Sequence, residues 1–171
     1  HLELKVPGGE VYLQPGQAWG DVDPLAVQRQ MIKRTIKEHL DKERRLRPKG
    51  IKVLSLFFID EVAKYREYDA EGNPQKGVYA RMFEEEYERY RRHPDYQSLF
   101  KELDMEHAAE DVHNGYFSVD KKKLGGKSIE VFKDTNGNTK ADDDTYNLIM
   151  RDKERLLDLA TPLKFIFSHS A

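Results

Sequence analysis

The chain has 171 residues, of which 35% are charged and 38% hydrophobic, and its 29 Lys and Arg against 31 Asp and Glu leave a net charge of -2. That length supports one domain with a sizeable core, and no apolar run approaches the roughly 18 residues a membrane span needs, so no membrane partner is expected. Cysteine is absent, which excludes disulfides, thiolate metal sites and a cysteine nucleophile, and fits a cytoplasmic location.

The charges are segregated. Residues 29–52 hold ten Lys and Arg against Glu38, Asp41 and Glu43, whereas acids gather at 84–86, 102–111 and 142–144. A basic segment on a near-neutral chain is either a solvated helix face or a phosphate-facing stripe.

In chain order, residues 1–22 read as an irregular lead-in with a short extended piece at 10–13. Asp23-Pro24 starts a helix, with Asp as N-cap and Pro at the first helical position. It runs to about residue 45, with Ile32, Ile36 and Leu40 on one face and Leu25 near them. After Arg47-Pro48-Lys49-Gly50, residues 51–59 (IKVLSLFFI) are almost continuously apolar, the pattern of a central strand covered on both faces. Asp60 opens a short helix through about Tyr68, followed by a loop at 69–74. Residues 78–91 form a helix with Val78, Met82, Tyr87 and Tyr90 near one face, and a second helix covers about 95–103. Residues 112–119 (VHNGYFSV) are the next strand. Gly125-Gly126 is a turn, and a hairpin forms from residues 129–133 and those after Asn136-Gly137. A last helix spans about 144–158, and Thr161-Pro162 leads into a buried strand at 163–171. The alternation predicts an α/β fold, a three-layer, mostly parallel sheet flanked by helices, with ligands beyond the carboxyl ends of the strands.

Several partial motifs fail on spacing. Gly126-Lys127-Ser128 resembles the end of a phosphate-binding loop, but Lys121 stands where that loop needs glycine. Asp134-Thr135-Asn136-Gly137-Asn138 resembles a calcium loop, but Thr139 and Thr145 occupy its glycine and glutamate positions. Pro94-Asp95 with Asp120-Lys121-Lys122 imitates a Mg²⁺ nuclease pattern, yet its first half reads as helix capping. The six His (1, 39, 93, 107, 113, 169) lack zinc-site spacing. Ser168-His169-Ser170 cannot be a triad, because neighbouring strand side chains point to opposite faces.

Five runs carry a specific resemblance: RQMIKRTIKEHLDKE at 29–43, GIKVLSLFFIDEVAKYR at 50–66, VHNGYFSVDKK at 112–122, YNLIMRDKERLL at 146–157 and PLKFIFSHSA at 162–171. In this order they resemble the restriction (Res) subunit of type III restriction-modification enzymes, weakly over residues 1–28 and 125–144. The resemblance implies most of the second RecA-like lobe of a superfamily 2 helicase motor, residues 23–171, with a small β-hairpin insertion at about 125–144. IKVLSLFFI matches the strand of helicase motif IV and FIFSHSA the opening of motif V, where the sequence stops. With His1 at the other end, the expectation is an incomplete lobe, a piece of a longer protein.

The intact enzyme so implied is an ATP-dependent DNA endonuclease that uses ATP and Mg²⁺. Its implied partners are double-stranded DNA, a methyltransferase (Mod) subunit, and the first RecA-like lobe and nuclease domain of the same parent chain. The piece itself is expected to be inactive, without cofactor, catalytic residue or metal. It would keep DNA-backbone contacts, for which the candidates are Phe58, Asp60, Gly115, Ser118, Lys121, Ser168, His169 and Ser170. Phe58 also reads as core, and Asp60 as a helix cap. Two rival readings are a lobe of another superfamily 2 DNA translocase and a non-catalytic protein-interaction module.

Overall fold

The computed structural model describes residues 2–6, 8–14, 19–20, 23–102, 109–124, 126–134, 147 and 149–169. Three parallel strands form its centre. Strand β3 (Ser55–Ile59), β6 (His113–Tyr116) and β9 (Phe165–His169) pair in the order β3-β9-β6. Strand β9 is buried along most of its length. The remaining strands make three antiparallel hairpins: β1 (Leu2–Val6) with β2 (Gly9–Leu13), β4 (Arg66–Tyr68) with β5 (Pro74–Lys76), and β7 (Ser118–Leu124) with β8 (Lys127–Lys133). The architecture is α/β with a parallel sheet and flanking helices, as the sequence predicts.

Helix α1 (Pro24–Leu46) begins where expected, the Asp23 carboxylate accepting from the Leu25 N–H at 2.9 Å. Ile32, Ile36 and Leu40 are buried, whereas Leu25, in the first turn, remains 41% exposed. Helix α2 (Val78–Arg91) is amphipathic, and α3 (Gln97–Glu102) follows a 3-10 turn at Pro94–Tyr96. Together these helices cover one face of the sheet. Ile36, Leu40, Phe83, Tyr87 and Phe100 pack there with Phe165 and Phe167 of β9 in one aromatic-rich core. On the other face, Leu156 of α4 (Lys153–Leu157) and Ile149 pack against Tyr116, Leu163 and Ile166.

Three expectations are corrected. The run at 51–59 is an edge strand rather than a central one. Among the described residues, only Ser55–Ile59 pairs, and only with β9, while Leu56 and Phe58 on its second face are 43% and 65% exposed. The segment before it is fixed differently: the Lys52 ammonium donates to the carbonyls of Asp158 (2.5 Å) and Thr161 (2.6 Å). Asp60 does not open a helix to Tyr68. A single 3-10 turn, Val62–Lys64, redirects the chain into β4, because Tyr65 is drawn into the core against Phe117 and Phe167. The run at 112–119 breaks after Tyr116, so that β7 leaves the sheet and joins β8. The hairpin of β7 and β8 turns at Gly126, whose φ of 76° suits glycine, where the sequence places a turn; the hairpin expected at Asn136-Gly137 lies outside the described residues. Among the described residues, no helix is long and apolar enough to cross a membrane.

Candidate nucleic-acid interface

The carboxyl ends of β3, β6 and β9 bring together most of the residues singled out in the sequence. Their rows follow from the register. Phe58, Ser168 and Tyr116 lie side by side across the sheet, as do Phe57, Phe167 and Gly115, and Ile59 pairs with His169. Alternation puts the first row on the α4 face. There Ser168 is 3% exposed, and the Tyr116 hydroxyl donates to Asp152 at 3.3 Å. Phe58, at the open edge of the same row, lies beyond the reach of α4. Its exposure overturns the core reading.

Beyond the row ends lies a charged cluster. The Lys64 ammonium bridges Asp60 (2.5 Å) and Glu61 (3.0 Å). Its hydrogen bonds to the two carboxylates push the ammonium up, and they hold the Asp60 carboxyl below the usual carboxylate range. The Asp60 side chain is therefore an ion-pair partner rather than a cap. The capping role falls to Asp134, whose Oδ1 accepts from the Val62 N–H at 2.7 Å. The ring of His169 donates through Nε2 to the Asp60 carbonyl at 3.1 Å, and that nitrogen lies 3.5 Å from Asp134 Oδ1. His169 and Asp134 thus tie the ends of β9 and β8 to the turn that follows β3.

Gly115 has a packing reason for lacking a side chain. A Cβ there would sit 2.5 Å from the Phe117 ring and 2.7 Å from the Tyr65 ring. Ser118 is buried at the base of the β7–β8 hairpin, and Lys121 is exposed further along it. Ser170 lies outside the described residues. The structure therefore joins Phe58, Asp60, Ser168 and His169 at one edge and places Ser118 and Lys121 on the hairpin that springs from it. The sequence reading missed Lys64 and Asp134. Lys64 stands four residues after Asp60, a visible spacing, whereas the 72-residue separation of Asp134 from Val62 gives no local signal.

Elsewhere, an open pocket of about 490 Å³ is lined by Arg66, Lys76, Glu84, Glu110, His113 and Arg155, among others. Behind it, His113 Nδ1 accepts from the Tyr65 hydroxyl (2.9 Å), and its Nε2 donates to Glu84 (3.1 Å), which also binds Lys76 (3.0 Å). Burial holds the imidazole below its ordinary value despite Glu84, and raises the Tyr65 hydroxyl. Tyr65 is 1% exposed, so this relay braces α2 against β6 rather than presenting a nucleophile. Among the described residues, no three His, Asp or Glu side chains are grouped so that they could hold a metal ion.

These features define an α/β segment whose parallel sheet presents a polar, ion-paired edge beside a projecting hairpin. Its sequence relationships are specific. The chain is 34% identical over 146 residues to the Type III restriction-modification enzyme EcoP15I Res subunit of Escherichia coli, an alignment covering 81% of this chain and 13% of that protein. It is 33% identical over 147 residues to the Type III restriction-modification enzyme EcoPI Res subunit of Escherichia phage P1, with the same coverage. The chain belongs to the family of type III Res subunits, and it spans 13% of the length of the curated relatives it matches. No protein-family profile and no solved structure matches it.

Proposed function

We propose that this chain is part of the second RecA-like lobe, about residues 23–171, of the DNA motor in a type III restriction enzyme, and that the enzyme containing it is an ATP-dependent endonuclease. The observation that carries this reading is the kinship with two Res subunits along 81% of the chain. The parallel order β3-β9-β6 supports it, because such a sheet offers its ligands the carboxyl ends of its strands. In this reading the cytoplasmic enzyme works with a Mod subunit on double-stranded DNA, and the chain packs against a first lobe and a nuclease domain. The edge carrying Phe58, Asp60, Ser168 and His169, with the adjoining hairpin, faces the DNA backbone. In this reading the residues for ATP and Mg²⁺ chemistry belong to the rest of the motor, and no step through them is assigned to this chain.

The test is turnover by the chain alone. It is expected to hydrolyse no ATP above blank and to leave supercoiled DNA uncut in the presence of Mg²⁺. ATP turnover that co-purifies with the chain through successive columns and responds to substitutions at this edge would overturn the assignment to a half-motor.

A further inference from the structure

The β7–β8 hairpin bears more positive charge than the sequence candidates include. Lys121, Lys122 and Lys123 on β7 and Lys127 on β8 are all exposed, and none of the four makes an ion pair among the described residues. Several other cations are paired with carboxylates among the described residues, for example Arg29 with Glu85 and Glu86, Lys37 with Asp41, and Lys76 with Glu84 and Glu110. Only Asp120 and Glu130 bring negative charge to the ribbon. The pairing places Lys121 opposite Glu130, Lys122 opposite Ile129, Lys123 opposite Ser128, and Lys127 opposite Leu124. Cross-strand partners share a face and successive residues alternate. Lys121 and Lys123 therefore stand on one face of the ribbon, and Lys122 and Lys127 on the other.

The base of the ribbon is anchored. Val131 is buried, Phe132 packs on Phe117 with ring centroids 5.1 Å apart, and the Phe132 N–H donates to the Tyr68 hydroxyl at 3.1 Å. Four exposed lysines are thereby gathered on the outer part of a two-stranded ribbon, with Glu130 opposite Lys121 as the carboxylate paired with them across the strands.

We propose that this ribbon enters the major groove of B-form DNA, with Lys121 and Lys123 holding phosphates along one wall and Lys122 and Lys127 along the other. The groove is about 12 Å wide and admits a two-stranded β-ribbon. Lysines on both faces reach both phosphate walls, which a helix with one basic face does not. Contacts of this kind hold the duplex without reading its sequence. The ribbon leaves the sheet where β6 ends, beside the edge carrying Asp60 and His169. The proposal rests on the DNA-facing reading of that edge and names the element that enters the groove.

The test is duplex binding by the full chain as a function of salt, for the parent, for a quadruple variant (Lys121→Gln, Lys122→Gln, Lys123→Gln, Lys127→Gln) and for two variants that clear one face each. Each lysine–phosphate contact contributes about 0.9 to the slope of log affinity against log salt. The quadruple variant is expected to lose about 3 to 4 from that slope, and each one-face variant about half as much. The thermal midpoint and circular dichroism should not change, because the substituted side chains are exposed. An unchanged slope in the quadruple variant, with DNA still bound, overturns the ribbon proposal and leaves the DNA-facing edge standing. Loss confined to one face overturns the two-wall geometry. A parent chain that binds no duplex at low salt overturns both the ribbon and the reading on which it rests.

Discussion

Replacing Glu43 with Ala is expected to destabilise the chain by about 3–5 kcal/mol, the usual cost of leaving one member of a buried ion pair without its partner. The Glu43 carboxylate on α1 accepts two hydrogen bonds from the Lys164 ammonium, at 2.9 and 3.1 Å, across 121 residues of chain. Both residues are almost wholly buried. His39 completes the group: its Nδ1 bonds to the Ser55 hydroxyl at 2.8 Å, while its Nε2 lies 3.6 Å from Glu43, longer than a hydrogen bond. Lys164 therefore carries the carboxylate, and removing Glu43 strands an ammonium beneath α1, next to the central strand. Urea unfolding followed by circular dichroism measures the loss. Replacing Glu43 and Lys164 together with Met should recover most of it, because exchanging both partners for apolar groups of similar volume is often neutral. A single variant within about 1 kcal/mol of the parent would show that the pair contributes little.

The same group sets a dependence on pH. Burial alone would raise the Glu43 carboxyl, but His39 and Lys164 outweigh burial and hold it at about 2, against 4.5 for the free side chain. A carboxyl held low in the native state contributes stability that is complete above its unfolded value and is lost as pH falls towards the native one. This contribution should therefore drain away between about pH 4.5 and pH 2, and it should be missing from Glu43→Ala. A separate decline begins higher. Burial lowers both His39, despite Glu43, and His113, despite Glu84. The unfolded chain takes up protons below about pH 6.5 that the native imidazoles refuse, so stability falls with pH there too.

Phe83→Ala is expected to cost a similar amount, about 3–5 kcal/mol, for a different reason: it leaves a cavity where α2 meets the sheet. The Phe83 ring is fully buried. Its centroid lies 4.8 Å from that of Phe165, 5.7 Å from that of Phe167 and 4.7 Å from the ring of His113, all edge-on. It thus touches the central strand and the His113–Tyr65 relay at once. The expected result is a lower urea midpoint with little change in the dependence on denaturant, whereas Phe58→Ala at the open edge should change the midpoint little. Equal losses at the two positions would contradict the placement of Phe58 outside the core.

Some of this could be read from the chain and some could not, for physical reasons. The start of α1 was legible because an Asp N-cap and a following proline act locally, and α2 because its apolar residues repeat at helical spacing. The parallel sheet was legible in the buried character of Phe165, Ile166 and Phe167. The place of β3 within the sheet was not, because continuous apolarity records the side chains available for burial rather than the neighbours that bury them. The turn at Gly125-Gly126 was legible from its glycines, but the pairing of β7 with β8 across it was not, because the seven-residue match between the strands leaves no local pattern. At the candidate interface, Phe58, Asp60 and His169 were named from strand ends and the family resemblance, and the register of the sheet brings them to one end of it. The ties made by Asp134, like the Glu43–Lys164 pair, join segments far apart in sequence and leave no local pattern.

The most direct test of the central claim, that this segment turns a basic hairpin and a sheet edge toward the DNA backbone, is the affinity of the unmodified chain for duplex DNA between 50 and 200 mM salt. Four lysine–phosphate contacts predict a straight line of slope about -4, or steeper if the sheet edge adds its own, on logarithmic axes. A slope near zero, or no binding at the lowest salt, would contradict the account.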